Sequence, residues 1–394
     1  MPSGFGSIVL VVVIAALVPI LVDLLPAKAR LPQVVLLLLA GILVGPMALA
    51  WAKPDDVSLL STIGLGFLFM MAGYELDPAL LRERAGKLAG VSWLSSLLLA
   101  GALVGLLYSA GIAHSPVVVT IALTTTALGT LLPILRENGM IGGRFGRYLF
   151  AAGAAGELGP IVLMALFLGT RGSAAAAVVL VVFALIACAL AVLPSRVKAP
   201  RIGSIILRRE DSTTQTTLRI SIALLFLLLL AASKAGFDNV LGAFVAGMVL
   251  RRWSPGDTEQ LERKLDAVGY GFFIPIFFVY SGMTLDIDAI IANPAPLFAI
   301  LVVLVLVRGM PALYWYRHDL PRIERFQLMF LTATTLPLLV ALTAVAVSEG
   351  TMTTEAQAAT IGAGALSVLV FPLVAVSLQR RKPSTAPPLP VLPG

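Results

Sequence analysis

Charged residues are scarce in this 394-residue chain, where Asp, Glu, Lys and Arg make up 12% of the residues, against about a quarter in soluble domains. Cysteine occurs once, at Cys188, so the chain can form neither a disulfide framework nor a cysteine metal cluster. The two histidines, His114 and His318, fall in predicted loops, and no H-E-x-x-H motif is present. These shortages argue against a soluble fold and make a membrane hydrolase the least favoured class.

Long apolar runs take the place of the missing charge. The chain is 59% hydrophobic with a mean hydropathy of +0.98, and apolar runs of about 20 residues can each cross a bilayer as a helix. The first run lacks a basic n-region, so we expect a spanning helix there and not a signal peptide. We predict thirteen spans, at 5–25, 31–50, 58–76, 88–110, 116–135, 147–170, 174–194, 218–234, 237–250, 266–284, 296–316, 326–348 and 356–378.

The placement of basic residues predicts the orientation of these spans. With the N-terminus outside and the sides alternating, cytoplasmic segments hold 24 of the 28 Lys and Arg residues. The outer segments hold three, at Lys53, Arg171 and Lys234. This asymmetry follows the positive-inside rule. It predicts an inner-membrane protein with its C-terminus in the cytoplasm, and it explains the pI near 9.7 without nucleic-acid binding.

Four pairs of short segments recur at nearly equal separations. Residues 34–44 resemble 240–250, and 73–77 resemble 282–286. The other pairs are 123–126 with 331–334 and 156–158 with 364–366, and the four offsets are 206, 209, 208 and 208 residues. Because the offset covers seven spans, an odd number, the two halves must have opposite orientations in the membrane.

The repeat predicts an all-α membrane protein with two inverted six-helix repeats. Inverted repeats are common in secondary transporters, whose binding sites lie near the midplane on broken helices. We expect one transmembrane unit over 1–378, with repeat 1 at about 5–170 and repeat 2 at about 218–378. A linker helix at 174–194 would join them, and the Pro-rich stretch 379–394 would be a disordered cytoplasmic tail.

Glu157 is the leading candidate for chemistry because it lies deep in a predicted span. It follows Arg147 by ten residues, or about 15 Å at 1.5 Å per residue, near the middle of a hydrocarbon layer about 30 Å thick. An intramembrane carboxylate is a functional candidate by default, although it can also only tie helices together. Pro160 follows three residues later and removes a helix hydrogen bond, which can free a carbonyl.

Arg308 is the one basic residue inside a predicted span. It precedes Arg317 by nine residues, which puts it at nearly the depth of Glu157. Two interpretations remain open: Arg308 is a charge partner of Glu157, or it binds carbonyls freed at a helix break.

Threonine clusters followed by Gly or Pro mark spans five and twelve. Such clusters suit a locally unwound helix whose oxygens can coordinate a hard cation, although the hydroxyls can also bond back to their own helix. Glu75, at the end of span three, is a further candidate for the ion path. The threonines that we assign to this path are Thr124, Thr125, Thr126, Thr334 and Thr335.

A buried carboxylate favours neutrality, which it reaches by binding a proton or a cation. If both compete for Glu157 and only a loaded site changes sides, the result is obligatory one-for-one exchange without net charge movement. An ion-coupled carrier of a small organic anion, with Arg308 facing the substrate, is the alternative. An ion channel is a third possibility, disfavoured by the duplicated broken helices.

The sequence resembles the monovalent cation:proton antiporter family along nearly its whole length. The segments that carry the resemblance are LPQVVLLLLAGILVGP, FLFMMAGYELD, TTTALGTLLPILRE, FGRYLFAAGAAGELGP and FFIPIFFVYSGMTLD. The resemblance implies Na⁺ or K⁺ exchange for H⁺, discontinuous helices crossing at spans five and twelve, a core domain moving against a dimerisation domain, and a homodimer. It implies no cofactor and no metal beyond the transported ion.

The resemblance also assigns roles to particular positions. Glu157 falls on the family's ion and proton site, where relatives commonly carry an Asp pair or Asn-Asp in place of Gly156-Glu157. Electrogenic relatives have a Lys in span ten, which 266–284 lacks, and Arg308 resembles the span-eleven Arg of electroneutral relatives. Glu75 and the span-five threonines match positions near the ion path of some relatives.

Overall fold

The structure, a computed structural model, describes 4–24, 32–76, 78–111, 115–140, 142–168, 215–253 and 259–379, with single helical positions at 178, 181, 182, 185 and 189. Every regular element in these ranges is a helix. Apart from those single positions, the predicted linker helix at 174–194 lies outside the described residues, as does most of the tail. In chain order the helices are α1 Phe5–Leu24, α2 Gln33–Val44, α3 Pro54–Glu75, α4 Pro78–Arg82, α5 Arg84–Ser109, α6 Pro116–Ala122, α7 Leu128–Glu137, α8 Gly143–Phe167, α9 Thr216–Lys234, α10 Asn239–Trp253, α11 Glu259–Val268, α12 Ile274–Met283, α13 Ile287–Ala292, α14 Ala295–Leu304, α15 Met310–Trp315, α16 Arg322–Ala333, α17 Pro337–Ser348 and α18 Thr354–Gln379.

Twelve of the thirteen predicted spans fall on these helices, but their bounds differ. Within the described ranges, nine helices are long and apolar enough to cross a membrane, and α2 is a shorter apolar helix. The predicted span 31–50 was wrong in length, because α2 ends at Val44, shortly before Pro46, which cannot donate to a helix ladder. Helix α3 begins earlier than predicted, at Pro54, with two acidic residues in its first turn, where they favour the helix dipole.

Two long helices each contain one π-helical turn. Gly269–Phe273 joins α11 to α12, and Val305–Gly309 joins α14 to α15. A proline stands two residues after each turn, at Pro275 and Pro311. Since proline has no N–H to continue the α ladder, it favours the wider turn, and such turns are frequent at functional sites.

Glycine seams join the two halves of the sequence. At Gly73 of α3 an added Cβ would overlap the Phe244 carbonyl of α10, and at Gly41 of α2 it would overlap the Val279 carbonyl of α12. The repeat mates Gly282 and Gly247 make the reciprocal contacts. Small residues permit this close backbone approach. Each half thus packs its glycine helix on the equivalent partner helix of the other half.

The described helices form two groups. The α3 bundle contains α1–α3 and α9–α12, and the α8 bundle contains α4–α8 and α13–α18. Packing is extensive within each bundle, whereas between them the principal approaches are α8 with α10, α2 with α18 and α3 with α7. The broken helices and Glu157 all belong to the α8 bundle, on the side that faces α3.

Candidate functional site

Spans five and twelve are both interrupted, as the threonine clusters predicted. Helix α6 ends at Ala122 and α7 begins at Leu128, while α16 ends at Ala333 and α17 begins at Pro337. The two interruptions contact each other: the Ala127 N–H donates to the Thr334 carbonyl at 2.9 Å. The hydroxyls of Thr125 and Thr335 lie 2.6 Å apart. The discontinuous helices therefore meet at their breaks.

Pro160 frees the carbonyl that anchors the first break to α8. In a regular helix the Gly156 carbonyl would accept from the N–H of residue 160, but proline has none. The Thr126 N–H donates to this carbonyl instead, at 2.9 Å. A single proline therefore ties the unwound segment of span five to the helix that carries Glu157.

Glu157 lies at the N-terminal end of half-helix α7. Its side chain is 8% exposed, and its Oε1 accepts from the Leu128 N–H at 2.8 Å. The Gly129 backbone N–H also interacts with the carboxylate. Because the first N–H groups of a helix have no intrahelical partner and carry a partial positive charge, they can stabilise a carboxylate at this depth.

A cavity of about 350 Å³ leads to Glu157 between the two bundles. One face of α8 lines it with Arg147, Phe150, Ala154 and Glu157, whose spacing of three or four residues keeps them on the same side of a helix. The opposite wall includes Ala72, Glu75 and Leu76 at the end of α3. The predicted ion-path residue Glu75 thus shares a cavity with Glu157. Glu83 and Arg147, which form an ion pair, line the same cavity.

A second cavity also reaches Glu157 but measures only about 20 Å³, enough for about one water molecule. Its walls include Thr126, Thr130, Leu338 and Tyr270. Tyr270 stands on the π-helical turn of the α3 bundle, and its hydroxyl would lie 3.2 Å from a Cβ added at Gly129. Tyr270 was not predicted: Pro275 is a local sign of the π turn, but it does not indicate that Tyr270 packs against Gly129, 141 residues earlier in the chain.

Arg308 is 1% exposed and binds the break, not Glu157. Its Nε donates to the Thr126 hydroxyl at 3.0 Å, and its Nη2 donates to the Ala152 carbonyl at 2.9 Å. The Thr126 hydroxyl in turn donates to the Thr332 carbonyl at 2.6 Å. In the part of the chain that the structure describes, no carboxylate forms an ion pair with Arg308. This arrangement differs from the charge-partner interpretation. It shows the helix-break interpretation only in an indirect form, in which the Thr126 hydroxyl links Arg308 to the Thr332 carbonyl near the end of α16.

Gly156 provides the space that Arg308 and Thr126 occupy. A Cβ at this position would overlap the Thr126 hydroxyl and lie 2.7 Å from Nη2 of Arg308. Gly156 therefore supplies a carbonyl to Thr126 and room for a guanidinium. A larger residue beside Glu157 would require Arg308 and Thr126 to move.

The threonine hydroxyls mostly donate to carbonyls of their own segment, which was the alternative to cation coordination in the sequence analysis. The Thr124 hydroxyl donates to Ile121, that of Thr125 to Ala122 and that of Thr334 to Phe330. The backbone of Thr335 is held by the Ser367 hydroxyl, which accepts from the Thr335 N–H and donates to the Thr335 carbonyl. The helices are thus unwound and the hydroxyls stabilise the unwound ends, while the ion-path role of these threonines stays a prediction.

A charged cluster at the Arg147 end of α8 was not predicted. The Asp319 carboxylate accepts from Nε and Nη2 of Arg84, at 2.7 and 3.0 Å, and from the Tyr148 hydroxyl at 2.7 Å. Arg144 lies 3.8 Å from the same carboxylate. The hydrogen bonds from Arg84 hold the pKa of Asp319 below its ordinary value. Arg84 and Asp319 are 235 residues apart, so no local pattern could reveal the pair.

Among the described residues, no group of three or more His, Cys, Asp or Glu side chains could hold a metal ion together. The side chains with oxygen ligands that line the larger cavity are Glu75, Glu83 and Glu157, and Thr126, Thr130 and Tyr270 line the smaller one. Oxygen ligands of this kind suit hard cations.

Known Na(+)/H(+) and cation/H(+) antiporters are similar to this chain in sequence. The putative Na(+)/H(+) antiporter YjbQ of Bacillus subtilis is 27% identical over 96% of this chain, which spans 64% of that protein's length. Probable Na(+)/H(+) antiporter 3 of Methanocaldococcus jannaschii is 26% identical over 71% of each chain. Cation/H(+) antiporter 18 of Arabidopsis thaliana is 27% identical over 74% of this chain and 38% of its own length.

Solved structures share the fold. An electron-microscopy structure of the sodium proton antiporter MjNhaP1 from Methanocaldococcus jannaschii superposes with a TM-score of 0.67 at 18% identity, covering 95% of this chain and 96% of that one. Its structure at pH 8 gives 0.60 at 17% identity, with 95% of both chains covered.

The family assignment rests on nearly the whole chain. Residues 12–378 match the family described as "Sodium/hydrogen exchanger, transmembrane". The chain therefore belongs to the sodium/hydrogen exchanger family, a family of membrane transporters and not of enzymes.

Proposed function

We propose that this protein exchanges a monovalent cation, Na⁺ or K⁺, for protons across the membrane, and that both ions bind at Glu157. The observation that carries the proposal is the Glu157 carboxylate at the N-terminus of half-helix α7, at the end of a cavity between the two bundles. The family and the names of its relatives, which are Na(+)/H(+) or cation/H(+) antiporters, agree with this activity.

Competition at one carboxylate explains the coupling. An ionised group buried in a low-dielectric site is costly unless it is balanced, and the α7 dipole supplies only about half a charge. A proton or a monovalent cation completes the balance, and the two exclude each other. If the α8 bundle moves against the α3 bundle only with a loaded site, exchange is obligatory.

The stoichiometry that we propose is one cation for one proton, which makes the exchange electroneutral. Gly156 offers no second carboxylate beside Glu157, and Arg308 is held by neutral acceptors. A single site carboxylate that binds one positive charge in either form moves no net charge in a full cycle. Transport in liposomes should then be independent of an imposed membrane potential.

The described conformation fits a state that opens toward the Arg147 end of α8. The larger cavity reaches Glu157 from that end, whereas the smaller one beside Tyr270 holds about one water. Under the orientation that the basic residues predict, this is the cytoplasmic side of the inner membrane. We further propose the predicted repeats at about 5–170 and 218–378, the 174–194 linker helix, the disordered tail and the homodimer that the resemblance implies.

Proteoliposomes with an internal pH-sensitive dye test the proposal. A proton gradient is imposed, Na⁺, K⁺ or Li⁺ is added in turn, and the dissipation rate gives the ion. Glu157→Gln keeps the size of the side chain but removes its charge, so it should abolish exchange. Glu157→Asp keeps the charge and should retain measurable exchange. Full activity of the Gln variant would refute the site.

The alternative, an ion-coupled carrier of a small organic anion with Arg308 facing the substrate, has less support. The guanidinium is 1% exposed, and neither cavity at Glu157 is lined by Arg308. A channel would show fluxes far above carrier rates without coupling to protons. Anion-stimulated proton flux in the same liposomes would favour the carrier alternative.

A further inference from the structure

The cavity that leads to Glu157 carries an opposite pair of charges at its outer end. We propose that this mouth pair, Glu83 and Arg147, sets the affinity for the cation: Arg147 repels the incoming ion, and Glu83 cancels that repulsion. The inference rests on the proposed site at Glu157 and adds the residues that tune access to it.

The geometry places the mouth pair on the path to Glu157. Arg147 and Glu157 line one cavity from the same face of α8, ten residues and therefore about 15 Å apart. Arg147 is 63% exposed and Glu83 44% exposed, so both side chains stand where the cavity meets solvent. Glu83 precedes the first turn of α5, so the pair also joins the ends of α5 and α8.

The two charges act on the same ion with opposite signs. Arg147 raises the free energy of a cation inside the cavity and Glu83 lowers it, so the intact pair has little net effect. Removing one partner leaves the other uncompensated. At about 15 Å, one unit charge changes the affinity of a monovalent ion by about 1.5-fold in a water-like medium and by about sixfold at an effective dielectric constant near 20.

This electrostatic role differs from a purely structural one in the sign of its effects. If the pair only joined α5 to α8, removing either partner would lower stability or maximal rate in the same direction. Exposed ion pairs contribute about 0–1 kcal/mol to stability, so such losses would be small. Opposite shifts of KM therefore identify the electrostatic role.

The experiment measures KM and maximal rate for the transported cation in proteoliposomes, with the cation supplied at the cavity face and at alkaline pH to reduce proton competition. Arg147→Gln should lower KM by about 1.5-fold to sixfold, and Glu83→Gln should raise it by a similar factor. The double variant should return KM close to the wild-type value. Maximal rates should change less than KM in all three.

Two controls sharpen this test. Arg144→Gln removes a charge of similar exposure, 64%, from the same end of α8, but Arg144 lies about one helical turn further from Glu157 and does not line the cavity. Its KM should therefore shift less than that of Arg147→Gln. Raising ionic strength from about 0.01 M to about 0.3 M should shrink the KM shifts of both mouth variants, since the screening length falls from about 30 Å to below 10 Å.

The outcomes separate this inference from the proposed site. If Glu157→Gln exchanges ions normally, the site itself is wrong, whatever the mouth variants do. If Glu157→Gln is inactive but both mouth variants keep the wild-type KM, or shift it in the same direction, the mouth-pair inference alone is overturned. Opposite, salt-sensitive shifts that cancel in the double variant, with a smaller shift in Arg144→Gln, support it.

Discussion

Thr126 offers the sharpest test of how the broken helices hold the site, because its hydroxyl serves two elements at once. It accepts from Arg308 Nε at 3.0 Å and donates to the Thr332 carbonyl at 2.6 Å, and the side chain is fully buried. Thr126→Val keeps the shape of the side chain and removes both hydrogen bonds. The guanidinium loses a partner in a site without solvent, and a terminal carbonyl of α16 is left unpaired.

The expected loss follows from these two groups. A hydrogen bond to a charged group contributes about 1.5–3 kcal/mol, and a buried unpaired carbonyl costs about 1–3 kcal/mol. The sum, about 2.5–6 kcal/mol, corresponds to about sixtyfold or more in an equilibrium at about 1.4 kcal/mol per factor of ten. We therefore expect exchange by Thr126→Val to fall by about sixtyfold or more.

The assay is cation-driven dissipation of a proton gradient in proteoliposomes, with variant amounts matched by reconstituted protein. Thr126→Ser keeps the hydroxyl and should retain most of the activity. Thr124→Val removes a hydrogen bond that stays within its own segment, to Ile121, so it should cost only about 1 kcal/mol and about fivefold in rate. Exchange by Thr126→Val within threefold of wild type, or an equal loss in Thr124→Val, would refute the reasoning.

Three further variants probe the surrounding contacts. Gly156→Ala should lower the free energy of unfolding by about 1–3 kcal/mol, because its Cβ would overlap the Thr126 hydroxyl. Melting experiments in detergent measure this loss. The control Gly66→Ala, whose Cβ meets its nearest atom at 3.4 Å, should melt like wild type. Asp319→Asn should lower the melting temperature by a constant amount between pH 5 and 8, because a depressed carboxyl pKa contributes stability that is lost only as the pH falls below the unfolded value near 3.9. Arg308→Lys keeps the charge but not the planar fork that reaches two acceptors, so exchange should fall at least about tenfold, and wild-type exchange would contradict the positioning role.

The features of the site that could be predicted from the sequence are those that depend on residues close together within one helix. The depth of Glu157 follows from its distance to Arg147 along α8. The break in span five follows from its threonines, and Pro160 predicts a freed carbonyl in α8, which the structure shows accepting from the Thr126 N–H. Each depends on backbone chemistry within a few turns of helix, where sequence distance and spatial distance agree.

The parts that could not be predicted join residues far apart in the chain. Arg308 and Thr126 are 182 residues apart, and Arg84 and Asp319 are 235 residues apart. Which partner a buried guanidinium takes depends on how α8, α14 and α16 pack, and sequence spacing carries no such information. The same reason explains why the sequence left two partners for Arg308 open, whereas the structure shows its hydrogen bonds to Thr126 and Ala152.

The separation of Arg308 from Glu157 has a functional consequence. Each charge is balanced by the end of a half-helix: Glu157 by the N-terminus of α7, and Arg308, through the Thr126 hydroxyl, by the last carbonyls of α16. Helix ends carry about half a charge and are fixed in place. If Arg308 paired with Glu157 directly, each arriving ion would first have to break a buried ion pair, whose rupture costs about 3–5 kcal/mol. Under the proposed exchange, with both charges held by helix ends, a proton or cation reaches Glu157 without that cost, and the half charge of α7 leaves the carboxylate incompletely balanced until the ion binds.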